Sequence, residues 1–313
     1  MSKEKILQIK NLKQYFKLDK KNIIKAVDDI SFDIYKGEIL GLVGESGSGK
    51  STIGRCIMNI YKPTDGNIVY RNKCITDRKV YKKEKFFINK NMQLIFQDSA
   101  SALNPRMKIG DIISEPLKIQ KIYKNKEERY EKVKKVLSLV GLDENIINKY
   151  PSEFSGGQRQ RIQIARAICM DPEFIIADEP IASLDVSIQA QIVNLFKKLK
   201  KEANLTCLFI AHDLSMIKHI SDRIGVMYNG KLVELATADE LYNNPIHPYT
   251  KSLLSSIPIP DPKRVKARER IKYSHTIHDY SKEKPEWTEV YKGHYVYLAK
   301  NEIQLFNNKL NIV

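Results

Sequence analysis

The chain has 313 residues, 53 of them basic and 37 acidic, for a net charge of +16. Length alone suggests about two domains and allows a substantial core, while no uncharged apolar stretch approaches the ~18 residues of a membrane span. The start, Met1-Ser2-Lys3-Glu4-Lys5, holds no signal-peptide core, and Cys56, Cys74, Cys169 and Cys207 are scattered like reduced thiols, so export and a disulfide framework are not expected.

Residues 5 to 96 read as β-rich segments around one phosphate loop. The apolar run Ile39-Leu40-Gly41-Leu42-Val43 leads into Gly44-Glu45-Ser46-Gly47-Ser48-Gly49-Lys50-Ser51, and a helix-compatible stretch begins at Thr52. This fits G-x-x-x-x-G-K-[ST] in a strand–loop–helix setting. Glycines at 44, 47 and 49 let the backbone curl so that successive N–H groups face inward, an anion nest at a helix N-terminus. Lys50 would then reach the β- and γ-phosphates of ATP, and Ser51 would ligate Mg²⁺. From Lys62 to Lys90, nine basic residues face three acidic ones, and Gly66-Asn67-Ile68-Val69-Tyr70 with its neighbours predicts short antiparallel strands and a polar loop.

Residues 98 to 170 look mainly helical, as in Lys126 to Leu142 with apolar Val133, Val136, Leu137 and Val140. At 155 to 158, Ser-Gly-Gly-Gln precedes a helix predicted from Arg159 to Met170, and two glycines at a helix N-terminus let N–H groups approach an anion. Next, Phe174-Ile175-Ile176-Ala177 reads as a buried parallel strand ending at Asp178 and Glu179. Asp178 is placed to hold Mg²⁺ through water, and Glu179 to polarise an attacking water. After Ser183-Leu184-Asp185 and a helix from Val186 to Lys200, the strand Cys207-Leu208-Phe209-Ile210-Ala211 ends at His212, whose imidazole is in order to contact the γ-phosphate. Asn229-Gly230 marks a hairpin, and the character changes beyond about 236.

Together these motifs resemble the ATP-binding subunits of ABC transporters over roughly residues 5 to 260. The resemblance implies an α/β P-loop NTPase fold: a nucleotide-binding domain over 5–235 with an antiparallel β subdomain, a helical subdomain inserted at about 98–170, and a C-terminal extension over 236–313. It implies that Ser155, Gly156, Gly157 and Gln158 form the family signature, which binds the γ-phosphate of a nucleotide held by the opposite subunit, and that Asp185 lies beside the bound nucleotide. Gln97 resembles the family's glutamine at the junction with the helical subdomain, able to coordinate Mg²⁺ or the attacking water. Phe16 matches the aromatic that stacks on adenine, with Tyr15 as the alternative.

Two further segments narrow the family. Asn244-Pro245-Ile246-His247-Pro248-Tyr249-Thr250-Lys251-Ser252-Leu253-Leu254 is similar to a segment of the oligopeptide and dipeptide importers, as are Pro258 to Asp261, His278-Asp279-Tyr280 and Lys292-Gly293-His294-Tyr295-Val296. No chemistry demands these residues, and the prolines read as a rigid extended connector. Several members carry a cysteine cluster near the C-terminus, whereas no cysteine follows Cys207 here, and His275, His278 and His294 read as surface histidines rather than metal ligands.

The implied mechanism is ATP-driven closure of two nucleotide-binding subunits, a second ATPase chain being the expected partner, beneath two transmembrane permease chains supplied by an extracellular peptide-binding protein. The stretch from Gln97 to Arg106 and the helical subdomain would receive a short helix of a membrane partner. The chain would then work at the cytoplasmic face of the cell membrane, and peptide would never touch it. Because substrate choice lies in the partners, nickel or another small solute is the alternative cargo. The charge leaves open an anionic leaflet or a solvated lysine-rich surface. No specific nucleic acid is expected: repair members of the superfamily insert a long coiled coil where only 103 residues separate Ser51 from Ser155, and ribosome-associated members carry two cassettes.

Overall fold

In the computed structural model, residues 4–19, 22–182, 184–257, 271–281 and 283–308 are described. Two sheets organise them. The first is four-stranded and antiparallel, in the order β2-β1-β4-β5, from β1 (Lys5–Lys17), β2 (Ile23–Tyr35), β4 (Asp65–Tyr70) and β5 (Lys73–Cys74). The second has eight strands in the order β11-β12-β10-β9-β3-β8-β7-β6. Its members are β3 (Ile39–Val43), β6 (Met92–Ile95), β7 (Phe174–Asp178), β8 (Thr206–Ile210), β9 (Arg223–Tyr228), β10 (Lys231–Thr237), β11 (Glu286–Tyr291) and β12 (His294–Leu298).

The apolar runs read from the sequence become the centre of this sheet because they are covered on both faces. Every residue of β3, β7 and β8 is buried. Alternate side chains leave a strand on opposite sides, so Ile39, Val43, Ile175, Ala177, Cys207 and Phe209 enter one apolar cluster. Leu40, Leu42, Phe174, Ile176, Leu208 and Ile210 enter the other. Parallel strands buried on both faces have this near-continuous hydrophobic character.

The second cluster encloses α1 (Lys50–Ile57) between the two sheets, with Ile53, Cys56 and Ile57 buried beside Ile9, Val27 and Ile34 of the antiparallel sheet. The first cluster continues into helices α4 (Ile109–Ile119), α5 (Lys126–Leu139) and α6 (Gly156–Ile168), which follow α2 (Arg78–Asn91) and the short α3 (Ser99–Ala102). Residues 78–91 are thus a helix, where strands and a polar loop were expected. Asp77 caps it, its carboxylate accepting from the Lys79 and Val80 N–H groups, and only Ile88 is fully buried, with Val80, Tyr81 and Phe87 partly buried at helical spacing and the lysines facing solvent.

After β7 come α7 (Val186–Ala203), β8 and α8 (Leu214–Ile217), then the β9–β10 hairpin through Asn229-Gly230, with both turn residues at positive φ. Two short helices follow, α9 (Ala238–Asn243) and α10 (Pro248–Ser255). Pro248 does not extend the chain: it stands in the first turn of α10, where its missing N–H costs nothing, and His247 caps the helix through Nδ1. Strands β11 and β12 then join the large sheet, β12 pairing with β10 at Glu234↔Val296 and Leu235↔Tyr295, before a last helix over Lys300–Asn308. Pro258 to Asp261 and Ser183 lie outside the described residues.

Candidate functional site

Strands β3, β8, β7 and β6 are consecutive and parallel, so their C-terminal ends open on one edge of the sheet. Ligands of open α/β sheets bind at that edge. The chain leaves β3 into the Gly44–Ser51 loop, β8 toward His212, β7 at Asp178-Glu179 and β6 toward Gln97. Four separate sequence motifs therefore converge because their strands are neighbours.

The loop is shaped by its close neighbours. Gly49 has φ +103°, and a Cβ there would stand 2.0 Å from the Ala26 carbonyl oxygen. Lys50 is 3% exposed, and its ammonium donates to the carbonyls of Gly44 at 2.7 Å and Glu45 at 2.8 Å and to Ser48 Oγ at 3.3 Å. Burial draws its pKa down, while Glu179, Asp178 and Glu45 pull the other way. Carbonyl partners of this kind can be exchanged for phosphate oxygens. Ser51 Oγ donates to Asp178 Oδ1 at 2.7 Å, joining the loop's last residue to the β7 carboxylate. Thr52 follows in the first turn of α1, half-buried.

Glu179 takes a left-handed conformation, φ 48°, with its N–H donating to the Ile210 carbonyl. Its Oε2 accepts from Gln97 Nε2 at 2.8 Å and lies 4.0 Å from His212 Nδ1. The carboxylate is thus held by a neutral donor. Phe16 is half-buried on β1, edge-on to Tyr61 with ring centroids 5.3 Å apart. Tyr15, the alternative, is committed elsewhere: its hydroxyl donates to Asp28, and this bond, more than burial, pushes its pKa up to about 12.

Ser155 caps α6 by accepting from the Gln158 N–H, and Gln158 Oε1 accepts from the Ser155 N–H, a reciprocal capping box. The structure joins this segment to the start of α7: a Cβ on Gly156 would touch Leu184, and one on Gly157 would meet Ile188 Cγ2 at 2.7 Å. Ser155, Gln158, Asp185 and Val186 are exposed together there, Val186 at 76%.

Tyr249 was not foreseen at the site. Its hydroxyl accepts from the Glu45 N–H at 3.1 Å. The sequence marked its segment without giving it a chemical role. The histidines expected at the surface also differ. His294 is buried with Nε2 at 2.7 Å from Glu234, and His278, whose side chain is 3% exposed, bonds Glu302 and the Tyr273 hydroxyl. His275 is exposed. Among the described residues no group of three His, Cys, Asp or Glu could hold a metal ion.

Comparison with known proteins agrees with this geometry. The ABC transporter family model matches residues 27–182, and that of the oligopeptide/dipeptide transporter C-terminal region matches residues 233–283. The chain is 59% identical over 305 residues to the oligopeptide transport ATP-binding protein OppF of Bacillus subtilis, covering 97% of this chain and 99% of that one. It belongs to the oligopeptide and dipeptide group of ABC transporter ATP-binding subunits. A dipeptide transport ATP-binding protein, DppF of Lactococcus lactis, is 48% identical over 99% of both chains. Among solved structures, a dimeric ATP-binding cassette in a post-hydrolysis state bound to ADP and Pi superposes with a TM-score of 0.68 at 29% identity, covering 74% of this chain and 98% of that one. A cassette from Clostridium perfringens, part of an ABC transporter complex, gives a TM-score of 0.66 at 26% identity over 76% of this chain and 91% of its own. The subunit is an ATPase with the ATP-binding cassette fold. No helix among the described residues is long and apolar enough to cross a membrane.

Proposed function

We propose that this subunit powers the import of oligopeptides or dipeptides, as one of two ATPases beneath two permease chains at the cytoplasmic face of the membrane. The likeness to oligopeptide transport ATP-binding proteins over nearly the whole chain, C-terminal region included, carries the reading. The division into a cassette over 5–235, with a helical insertion at about 98–170, and an extension over 236–313 belongs to this proposal. So does the heterodimer, for which the exposed group around Ser155, Gln158, Asp185 and Val186 offers a face.

The oxygen donors of Ser51, Asp178 and Gln97 suit Mg²⁺, which when bound neutralises developing phosphate charge. Lys50, still seated on the Gly44 carbonyl, would exchange its Glu45 and Ser48 partners for β- and γ-phosphate oxygens, and Phe16 would stack on adenine. Glu179, oriented by the Gln97 amide, takes the proton of the attacking water, while His212 contacts the γ-phosphate. The Ser155–Gln158 signature of one subunit closes over the nucleotide held by the other, so ATP binding joins the pair and hydrolysis releases it.

Beside Gln97 lies a cleft of about 330 Å³ lined by Ile60, Leu94, Phe96, Pro116, Ile119 and Met170, with Ile119 70% and Phe96 42% exposed. Its apolar walls suit a short helix of a permease, so movement at Gln97 reaches the membrane. Cells lacking this chain should fail to grow on an oligopeptide that supplies a required amino acid. The wild-type chain should restore growth and Ile119→Glu should not; undiminished growth without the chain would overturn the reading.

A further inference from the structure

The fold carries the tyrosine of the Asn244–Tyr249 motif onto the phosphate loop, 204 residues away in sequence. Tyr249 is 1% exposed, and its hydroxyl accepts from the Glu45 N–H at 3.1 Å. The other end of the same peptide unit, the Gly44 carbonyl, accepts from Lys50 Nζ at 2.7 Å. A peptide unit is planar, so its two ends cannot turn independently. Rotation that redirected the carbonyl would break both bonds. Such rotation is otherwise easy at a glycine, and Gly44 stands at φ +150°.

The hydroxyl is held from behind. The Tyr249 ring packs on Tyr228 at 4.4 Å and on Tyr273 at 5.3 Å. Tyr273 bonds His278, whose Nδ1 lies 3.1 Å from Glu302 on the last helix. At the other end of the motif, buried Glu234 accepts from the Ile246 and His247 N–H groups and fixes the start of α10. The hairpin turn supports the loop independently, Gly230 N–H donating to the Ser48 carbonyl at 3.1 Å. Burial pushes the Tyr249 phenol up to about 12, so the hydroxyl stays neutral at physiological pH.

We propose that Tyr249 is a positioning residue for ATP capture: it locks the Gly44–Glu45 peptide and, through the Gly44 carbonyl, the seat of the Lys50 ammonium. The C-terminal extension thereby becomes part of the support of the nucleotide site. This rests on the assignment of residues 44–51 as the phosphate loop.

The test is Tyr249→Phe in the full chain, which keeps the ring and its packing and removes only the acceptor. Kd and KM for ATP should rise about three- to tenfold, the worth of one hydrogen bond, with kcat within about twofold of wild type and the melting temperature nearly unchanged. Placed in a Lys50→Ala chain, the same change should leave the residual ATP affinity as it was, because the lock acts through Lys50. Wild-type ATP affinity in Tyr249→Phe would overturn the proposal, as would an effect of full size in the Lys50→Ala background. If Lys50→Ala alone bound ATP normally, the phosphate-loop assignment would fall instead, and the role of Tyr249 with it.

Discussion

Replacing Glu179 by Gln separates water activation from nucleotide binding. The Gln97 Nε2 that donates to Glu179 Oε2 at 2.8 Å can donate equally to an amide oxygen, so the side chain keeps its size and its anchor. Asp178 keeps its bond from Ser51, and Lys50 keeps its carbonyl partners. What disappears is the carboxylate that accepts the proton, and a general base contributes about 10²- to 10⁴-fold, or roughly 3 to 5 kcal/mol of barrier. Hydrolysis should therefore fall by two to four orders of magnitude while ATP still binds, and closed dimers with the partner ATPase should accumulate. Phosphate release measures the first effect; size-exclusion chromatography with ATP and the partner subunit measures the second. Adding Ser155→Arg should return the mixture to open species, because bulk and charge would enter the closing face. Turnover by Glu179→Gln within a few-fold of wild type, with no trapped dimer, would remove Glu179 from the catalytic role.

Three other outcomes are expected. Gly49→Ala would force a Cβ to within 2.0 Å of the Ala26 carbonyl oxygen at φ +103°, so urea unfolding should show a loss of at least about 2–3 kcal/mol or a loop that no longer binds ATP. Glu234→Ala would leave the buried Ile246 and His247 N–H groups and His294 without their carboxylate, a destabilisation of about 3–5 kcal/mol readable by denaturant titration. His247 is held neutral in the fold, its pKa lowered from 6.5 to about 3 chiefly by burial. The unfolded chain therefore takes up a proton that the folded chain refuses, and stability is lost as pH falls through the window from 6.5 to about 3, at up to roughly 1.4 kcal/mol per pH unit. His247→Asn, which retains a capping oxygen, should flatten this part of the stability curve.

The site was legible where local pattern and function coincide. The phosphate loop, the acidic end of β7 and the apolar runs of β3, β7 and β8 each carry their own signal, and parallel pairing brings them to one edge. What the sequence obscured was set by distant partners. Residues 78–91 fold as a helix with one fully buried residue; Val80, Tyr81, Phe87 and Ile88 at helical spacing and the cap at Asp77 were the available signs, set among many lysines. Pro248 was read as extended because a proline usually ends a helix, whereas here it begins one behind the His247 cap. His278 and His294 are buried because Glu302 and Glu234, 24 and 60 residues away, receive them. Tyr249 depends on a contact across 204 residues, which no local pattern encodes.

The central claim is that ATP bound at the Gly44–Ser51 loop drives peptide across a membrane. Vesicles reconstituted with this chain, its partner ATPase and the two permease chains, and supplied with peptide-loaded binding protein, test it most directly. ATP on the face bearing this subunit should drive accumulation of labelled oligopeptide on that same face, and Lys50→Ala or Glu179→Gln should abolish it. Accumulation that proceeds equally without ATP or with Lys50→Ala, or ATP turnover indifferent to the loaded binding protein, would contradict the account.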